Sequence, residues 1–189
     1  MADINPDPGG STHARPARRS GQPAADIAAT PTEEASIELV EKLFFAYRDF
    51  TGEADALLEA YGFGRAHHRV LHFVNRRPGL RVADLLEILR ITKQSLARVL
   101  KQLVDRGFIE QTAGASDRRE RHLHLTEQGK ALADRLARLQ LAQIGRALRA
   151  AGKGSEPAVQ AFLSGLIGEA DSARGQLPDA PPPSDPPRG

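Results

Sequence analysis

The chain has 189 residues, 40% of them hydrophobic but only 5% aromatic, with a formal net charge of +2 and no cysteine. That length allows one compact fold with tails and a core of Leu, Val, Ile and Ala, while the lack of cysteine excludes disulfides, thiolate zinc sites and thiol redox switching within the chain. The small net charge conceals a basic centre: Arg65 to Arg121 holds 13 Lys/Arg against 6 Asp/Glu, the remainder 13 against 18, and this is the footprint of a polyanion-binding segment.

No apolar run approaches the roughly 20 residues of a membrane span. Arg15, Arg18 and Arg19 are not followed by an apolar region, so no secretory signal is read there. The expected location is cytoplasmic, with no membrane partner. Residues 1–29, rich in Pro, Gly, Ala and Arg, read as a disordered tail, as do residues 173–189 with Pro181 to Pro183.

Order is expected to begin at Thr30-Pro31-Thr32-Glu33, a capping box with proline at the first helical position. Ile37, Val40, Phe44 and Tyr47 recur at helical spacing and carry a first helix to about Phe50, with Glu53 to Ala60 as further turns. Gly62 and Gly64 open a second helix that buries Ala66, Val70, Phe73 and Val74 and stops at Arg77-Pro78-Gly79. A third helix, Val82 to Leu89, turns Val82, Leu85, Leu86 and Leu89 inward but has a poor N-cap in Arg81.

Arg90-Ile91 is a tight turn, and Thr92 caps a fourth helix running to Arg106. Leu96, Val99, Leu100, Leu103 and Val104 form its apolar stripe, and Gly107 suits the left-handed position that ends it. Phe108 to Thr112 and Arg119 to Leu125 read as two strands joined by Ala113-Gly-Ala-Ser-Asp117. His122 and His124 share one strand face, expected to line the surface of the hairpin. Thr126 caps a long helix with Gly129 as an early weak point, and Leu132, Leu136, Leu139, Ile144 and Leu148 form its stripe. Gly152-Lys-Gly154 breaks it, and Ser155-Glu-Pro157 starts a last helix with Val159, Phe162, Leu163, Leu166 and Ile167 apolar. The terminal helices carry more apolar surface than a three-helix unit can cover, which points to pairing with a second copy.

The expected fold class is therefore mainly α with a small β-hairpin wing (α+β): a winged helix-turn-helix flanked by dimerisation helices. Its parts are an N-terminal dimerisation helix and connector (30–60), the DNA-binding unit (61–126) and C-terminal dimerisation helices (127–172). A recognition helix enters the major groove with its N-terminal residues toward the bases. Thr92, Lys93, Gln94, Ser95 and Arg98 lie at that end, with Lys101 further along the exposed face. Arg98 suits guanine and Gln94 adenine; Ser95 is a further base contact, and the other positions suit backbone phosphates. Asp117-Arg118-Arg119 marks the hairpin tip, where Arg118 and Arg119 suit a narrowed minor groove.

Leu80-Arg-Val-Ala-Asp-Leu-Leu86, Ile91-Thr-Lys-Gln-Ser-Leu-Ala-Arg98, Leu103-Val-Asp-Arg-Gly-Phe-Ile109, Asp117-Arg-Arg119 and Leu125-Thr-Glu-Gln-Gly129 together resemble the MarR family of bacterial transcription regulators. The family's wing pattern, Asp-x-Arg ahead of Leu-Thr-x-x-Gly, is matched by Asp117, Arg119, Leu125, Thr126 and Gly129. The resemblance covers about Thr30 to Ala170. The run Gly62 to Phe73 further resembles a PetP-like branch of the family. The resemblance implies a homodimer of interleaved first, fifth and sixth helices, binding double-stranded DNA at a pseudo-palindrome. It also implies a small-molecule effector near the junction of dimer helices and winged unit.

Three histidines compete for a chemical role. His68 and His72 are one helical turn apart and could share a metal or a haem, whereas His67 points elsewhere. The plainer reading is a pair of polar histidines near the junction, or phosphate contacts, and no metal or cofactor is assigned. The His-Glu-x-x-His pattern, a Gly-rich phosphate loop and Gly-x-Ser-x-Gly are all absent, so no enzyme is expected. The alternatives are a winged-helix protein-interaction module without DNA binding, and a haem- or metal-responsive regulator acting through His68 and His72.

Overall fold

The computed structural model describes residues 31–114 and 120–167. Both tails fall outside that range, as does the hairpin tip with Asp117, Arg118 and Arg119. By internal contact the chain divides into one unit up to Leu39 and a second from Val40 onward. The elements in order are α1 (Glu33–Glu59), α2 (Arg65–Arg76), β1 (Leu80–Arg81), α3 (Val82–Leu89), α4 (Lys93–Asp105), β2 (Ile109–Ala113), β3 (Arg121–Leu125), α5 (Glu127–Ala151) and α6 (Glu156–Leu166).

The first unit holds the start of α1. Thr32, not Thr30, receives the helix: its Oγ1 accepts from the Ala35 N–H at 3.2 Å, and its carbonyl accepts from the Ser36 N–H at 3.0 Å. Pro31 therefore precedes the cap instead of filling the first helical position. α1 also runs unbroken past Phe50 to Glu59. Thr51 Oγ1 donates to the Tyr47 carbonyl at 3.0 Å, and Gly52 is absorbed within the helix.

The core of the second unit gathers α2, α3, α4, the sheet and the first half of α5 around Ala54 and Leu58 of α1. Leu71, Leu85, Leu96, Leu103, Phe108, Leu123 and Leu136 are among its fully buried members. Tyr61, Phe63 and Phe108 supply its aromatic contacts, with edge-on packing of Phe108 against both rings. The helical spacing of apolar residues dictates this arrangement, because each stripe must be removed from water against another element.

Among the described residues the sheet is antiparallel in the order β1-β3-β2. The hairpin register pairs Ile109 with Leu125 and Ala113 with Arg121. β1 was not expected: Leu80 pairs with Leu123 and Arg81 with His122, so the residues leading into α3 are stitched to the base of the hairpin. Phe108 lies ahead of β2 and acts as a core residue.

Gly129 is not a weak point. A Cβ at that position would sit 1.9 Å from the Phe108 carbonyl oxygen, so only glycine lets α5 pass so close to the start of β2. Thr126 caps α5 as expected, its Oγ1 accepting from the Gly129 N–H at 3.1 Å and donating to the Gly107 carbonyl at 2.6 Å.

Candidate nucleic-acid interface

α4 is placed by its two ends and its buried stripe. Arg90 adopts a left-handed conformation (φ 48°) that closes α3. Thr92 then caps α4, its Oγ1 accepting from the Ser95 N–H at 3.1 Å and donating to Ser95 Oγ at 2.9 Å. Leu96, Val99, Leu100 and Leu103 are buried. At about 100° per residue this leaves Gln94, Arg98, Lys101 and Asp105 centred on the opposite side. Lys93, Gln94, Arg98 and Lys101 are all exposed, and Ser95 is half-buried at the margin.

These residues differ in how free they are. Lys101 Nζ lies 2.5 Å from Asp105 Oδ2, one turn on. Exposed pairs of this kind are weak, so Lys101 can exchange its partner for a phosphate. Thr92 and Ser95 hold each other, so Thr92 acts first as a cap. The structure thus brings Gln94, Arg98 and Lys101 into one row, with Lys93 and Ser95 on its two flanks. Arg118 and Arg119 lie outside the described residues.

Beside this row runs a groove of about 730 Å³ between α3, α4 and the hairpin. Val82, Ala83, Ala97, Leu100 and Val104 line it along with Arg81, Lys101, Glu120 and Arg121. Its rim is braced by charge. Arg81 reaches Asp84 with Nε and Nη2 at 2.8 and 2.6 Å, and Glu120 Oε1 with Nη1 at 3.2 Å. The hydrogen bonds to Asp84 and then Glu120 raise the Arg81 pKa further above its ordinary range. His122 continues the brace: its Nδ1 lies 3.0 Å from the Gly79 carbonyl, which accepts, and its Nε2 lies 3.5 Å from Glu120 Oε2. Sequence reading missed this network because its members lie far apart in the chain. His122 and His124 do share a strand face, but His122 is half-buried against the Gly79 turn, and the His124 ring also approaches Gly79.

The α2 histidines separate into two environments. His67, expected to point away from the site, is only 9% exposed and lies 2.6 Å from Gln102 of α4. His68 and His72 lie on another side of α2, and burial lowers the pKa of each, with the neighbouring His72 adding to the effect on His68 and Arg76 to that on His72. Among the described residues, no third His, Cys, Asp or Glu gathers with them into a metal-binding group. No helix among the described residues is long and apolar enough to cross a membrane.

The family model described as MarR family matches residues 61–120, the span from Tyr61 to the base of β3. The chain is 47% identical over 133 residues to the HTH-type transcriptional regulator PetP of Rhodobacter capsulatus, covering 70% of this chain and 80% of that protein. In fold it is similar to Streptococcus pneumoniae FabT solved in complex with DNA, with a TM-score of 0.63 at 18% identity over 69% of this chain and 94% of that one. It is likewise similar to the transcriptional repressor CouR solved on a 23-mer DNA duplex, with a TM-score of 0.56 at 23% identity over 69% of this chain and 90% of that one.

Proposed function

Because this chain belongs to the MarR family of DNA-binding transcriptional regulators, we propose that it binds a pseudo-palindromic operator as a homodimer, one α4 helix in the major groove of each half-site. The observation that carries this reading is the exposed row Gln94, Arg98 and Lys101, set directly opposite the buried stripe of α4. Arg98 and Gln94, with Ser95 beside them, read bases. Lys93 and Lys101 contact phosphates, and Thr92 holds the helix end. Arg118 and Arg119 at the hairpin tip belong to the same proposal, from sequence alone. Residues 61–126 form the DNA-binding unit in this reading, and the helices of 30–60 and 127–172 form the dimer.

Unpartnered apolar surface supports the dimer. Phe44 of α1 and Leu141 of α5 are each 69% exposed, and α6 buries none of its residues although Val159, Phe162, Leu163 and Leu166 are apolar. Exposed apolar side chains in this number are the mark of an interaction face. Two α4 helices in one dimer must sit about one DNA turn apart, roughly 34–36 Å, to reach both half-sites. An effector that changed that spacing would release one half-site.

The test is selection of bound sites from random DNA, followed by Arg98→Ala. The variant should lose about 1–3 kcal/mol on the selected site and much less on random DNA. An equal loss on both would reduce Arg98 to a phosphate contact and remove the base-reading role.

A further inference from the structure

We propose that His67, buried beside α4 and outside the exposed row, is a positioning residue that fixes the rotation of the recognition helix α4 about its own axis. The inference rests on the reading of α4 as the DNA-contacting helix. It starts from the two ring nitrogens. His67 Nδ1 is 3.1 Å from the Gly64 amide, which can only donate, so Nδ1 accepts and the ring proton sits on Nε2. Nε2–H then donates to Gln102 Oε1 at 2.6 Å. One buried ring thus completes the N-terminus of α2 and grips α4 in the same tautomer.

The ring has no room to swing. It stacks on Phe63 with centroids 4.7 Å apart and planes at 16°. Phe63 is packed edge-on by Phe108 at 5.1 Å and carries the Arg106 guanidinium 4.8 Å over its ring. Arg106 in turn donates through Nη1 to the Tyr61 carbonyl. The chain from Tyr61 to His67 is therefore one packed bracket, anchored to the C-terminal end of α4 through Arg106 and to its side through Gln102.

Gln102 is one helical turn beyond Arg98, on the same strip of α4. The apolar stripe decides which face of the helix is buried, but leucine and valine contacts carry no bond direction of their own. A hydrogen bond from a buried ring is directional. Side-chain tips stand about 5–6 Å from a helix axis, so a rotation of roughly 10° moves them by about 1 Å. A displacement of that size breaks the bidentate geometry of an arginine on a base edge but leaves a phosphate contact intact.

The experiment uses the full chain and a DNA site selected by the unaltered protein from a random pool. His67→Asn keeps an oxygen for the Gly64 amide but is too short to reach Gln102. His67→Gln restores an amide donor toward Gln102. Gln102→Met removes the acceptor at an exposed position and keeps a helix-favouring side chain of similar length, and a urea melt of each variant confirms that it is folded under the binding conditions. His67→Asn and Gln102→Met should each lower the ratio of selected-site to random-DNA affinity about tenfold, the double variant no further, and His67→Gln should recover most of the ratio. Equal losses on both DNAs, additive losses, or an unchanged ratio would overturn the inference. Arg98→Ala is run alongside: if it loses selectivity while His67→Asn keeps it, only the role of His67 fails. If Arg98→Ala keeps selectivity, the reading of α4 fails and the inference with it. Nitrogen shifts of the imidazole in the free protein must show the Nε2–H form; an Nδ1–H form would refute the link without reference to DNA.

Discussion

Replacing Gly129 by alanine adds one methyl group where the first turn of α5 crosses the start of β2. The new Cβ would lie 1.9 Å from the Phe108 carbonyl oxygen and 2.9 Å from its carbon. Non-bonded heavy atoms settle at about 3.5 Å, so one backbone must retreat by roughly 1.5 Å. Neither is free to do so. The Phe108 carbonyl accepts from the Thr126 N–H at 3.2 Å, and its ring is buried against Tyr61 and Phe63. Alanine should favour the helix by about 1 kcal/mol on propensity alone. Overpacking costs about 1–3 kcal/mol, and the upper end applies where both groups are backbone. The expected net loss is about 1–2 kcal/mol, a fall in Tm of roughly 2–8 °C for a chain of this size. Urea unfolding and thermal melts at matched protein concentration measure it, since a dimer's Tm depends on concentration. A rise of about 2–4 °C, the outcome of propensity alone, would refute the close approach of α5 to Phe108.

If the proposed dimer forms through α6, Leu163→Asp should convert it to monomer in sedimentation at micromolar concentration, and an unaltered chain that sediments as a monomer would defeat the proposal. Thr92→Ala removes the α4 cap and should cost about 1 kcal/mol of stability, read as a shift in urea midpoint without a change in slope. His68 and His72 bind protons less readily when folded than at their ordinary value of 6.5. The unfolded chain therefore takes up more protons, so their contribution to stability is complete above pH 6.5 and is lost as pH falls through that value toward the lowered folded ones. Melting of His68→Gln/His72→Gln should flatten the acid limb below pH 6.5 relative to the unaltered chain; an unchanged slope would show that other groups set it.

Periodicity alone was enough to separate the two faces of α4, because a 3.6-residue repeat assigns Leu96, Val99, Leu100 and Leu103 to one side and Gln94, Arg98 and Lys101 to the other. The caps at Thr92 and Thr126 were legible for a related reason: a hydroxyl next to an apolar stripe has a local job. What stayed hidden is non-local or offers competing local solutions. β1 has two residues, too few to show alternation, and exists only because Leu123 and His122 lie opposite it. Thr30 and Thr32 both resemble caps, and the helix start selects the second. Gly129 reads as a propensity defect until the Phe108 carbonyl is placed beside it. His67 was misread: it stands at i, i+3, i+4, i+7 with Val70, Leu71 and Val74 on the buried stripe of α2, and its partner Gln102 lies 35 positions away, where no local pattern shows it.

These hidden features share a purpose that the visible ones lack. The apolar stripes bring α2, α3, α4 and α5 together, and the polar contacts add bonds of fixed direction between them. β1 ties the entry of α3 to β3, and Arg81 spans Asp84 of α3 and Glu120 beside β3, so the start of α3 is registered against the base of the hairpin. Gly129 and Thr126 lock the start of α5 to Gly107 and Phe108, at the end of α4. His67 and Arg106 tie α4 to the Tyr61–His67 bracket. A helix that reads bases through bidentate contacts needs its orientation held to within about 1 Å, and directional polar contacts hold orientation where apolar packing holds only distance. The same contacts bear on the proposed dimer: were α5 to shift there, Thr126 and Gly129, which join its first turn to Gly107 and Phe108, would carry the shift to the end of α4.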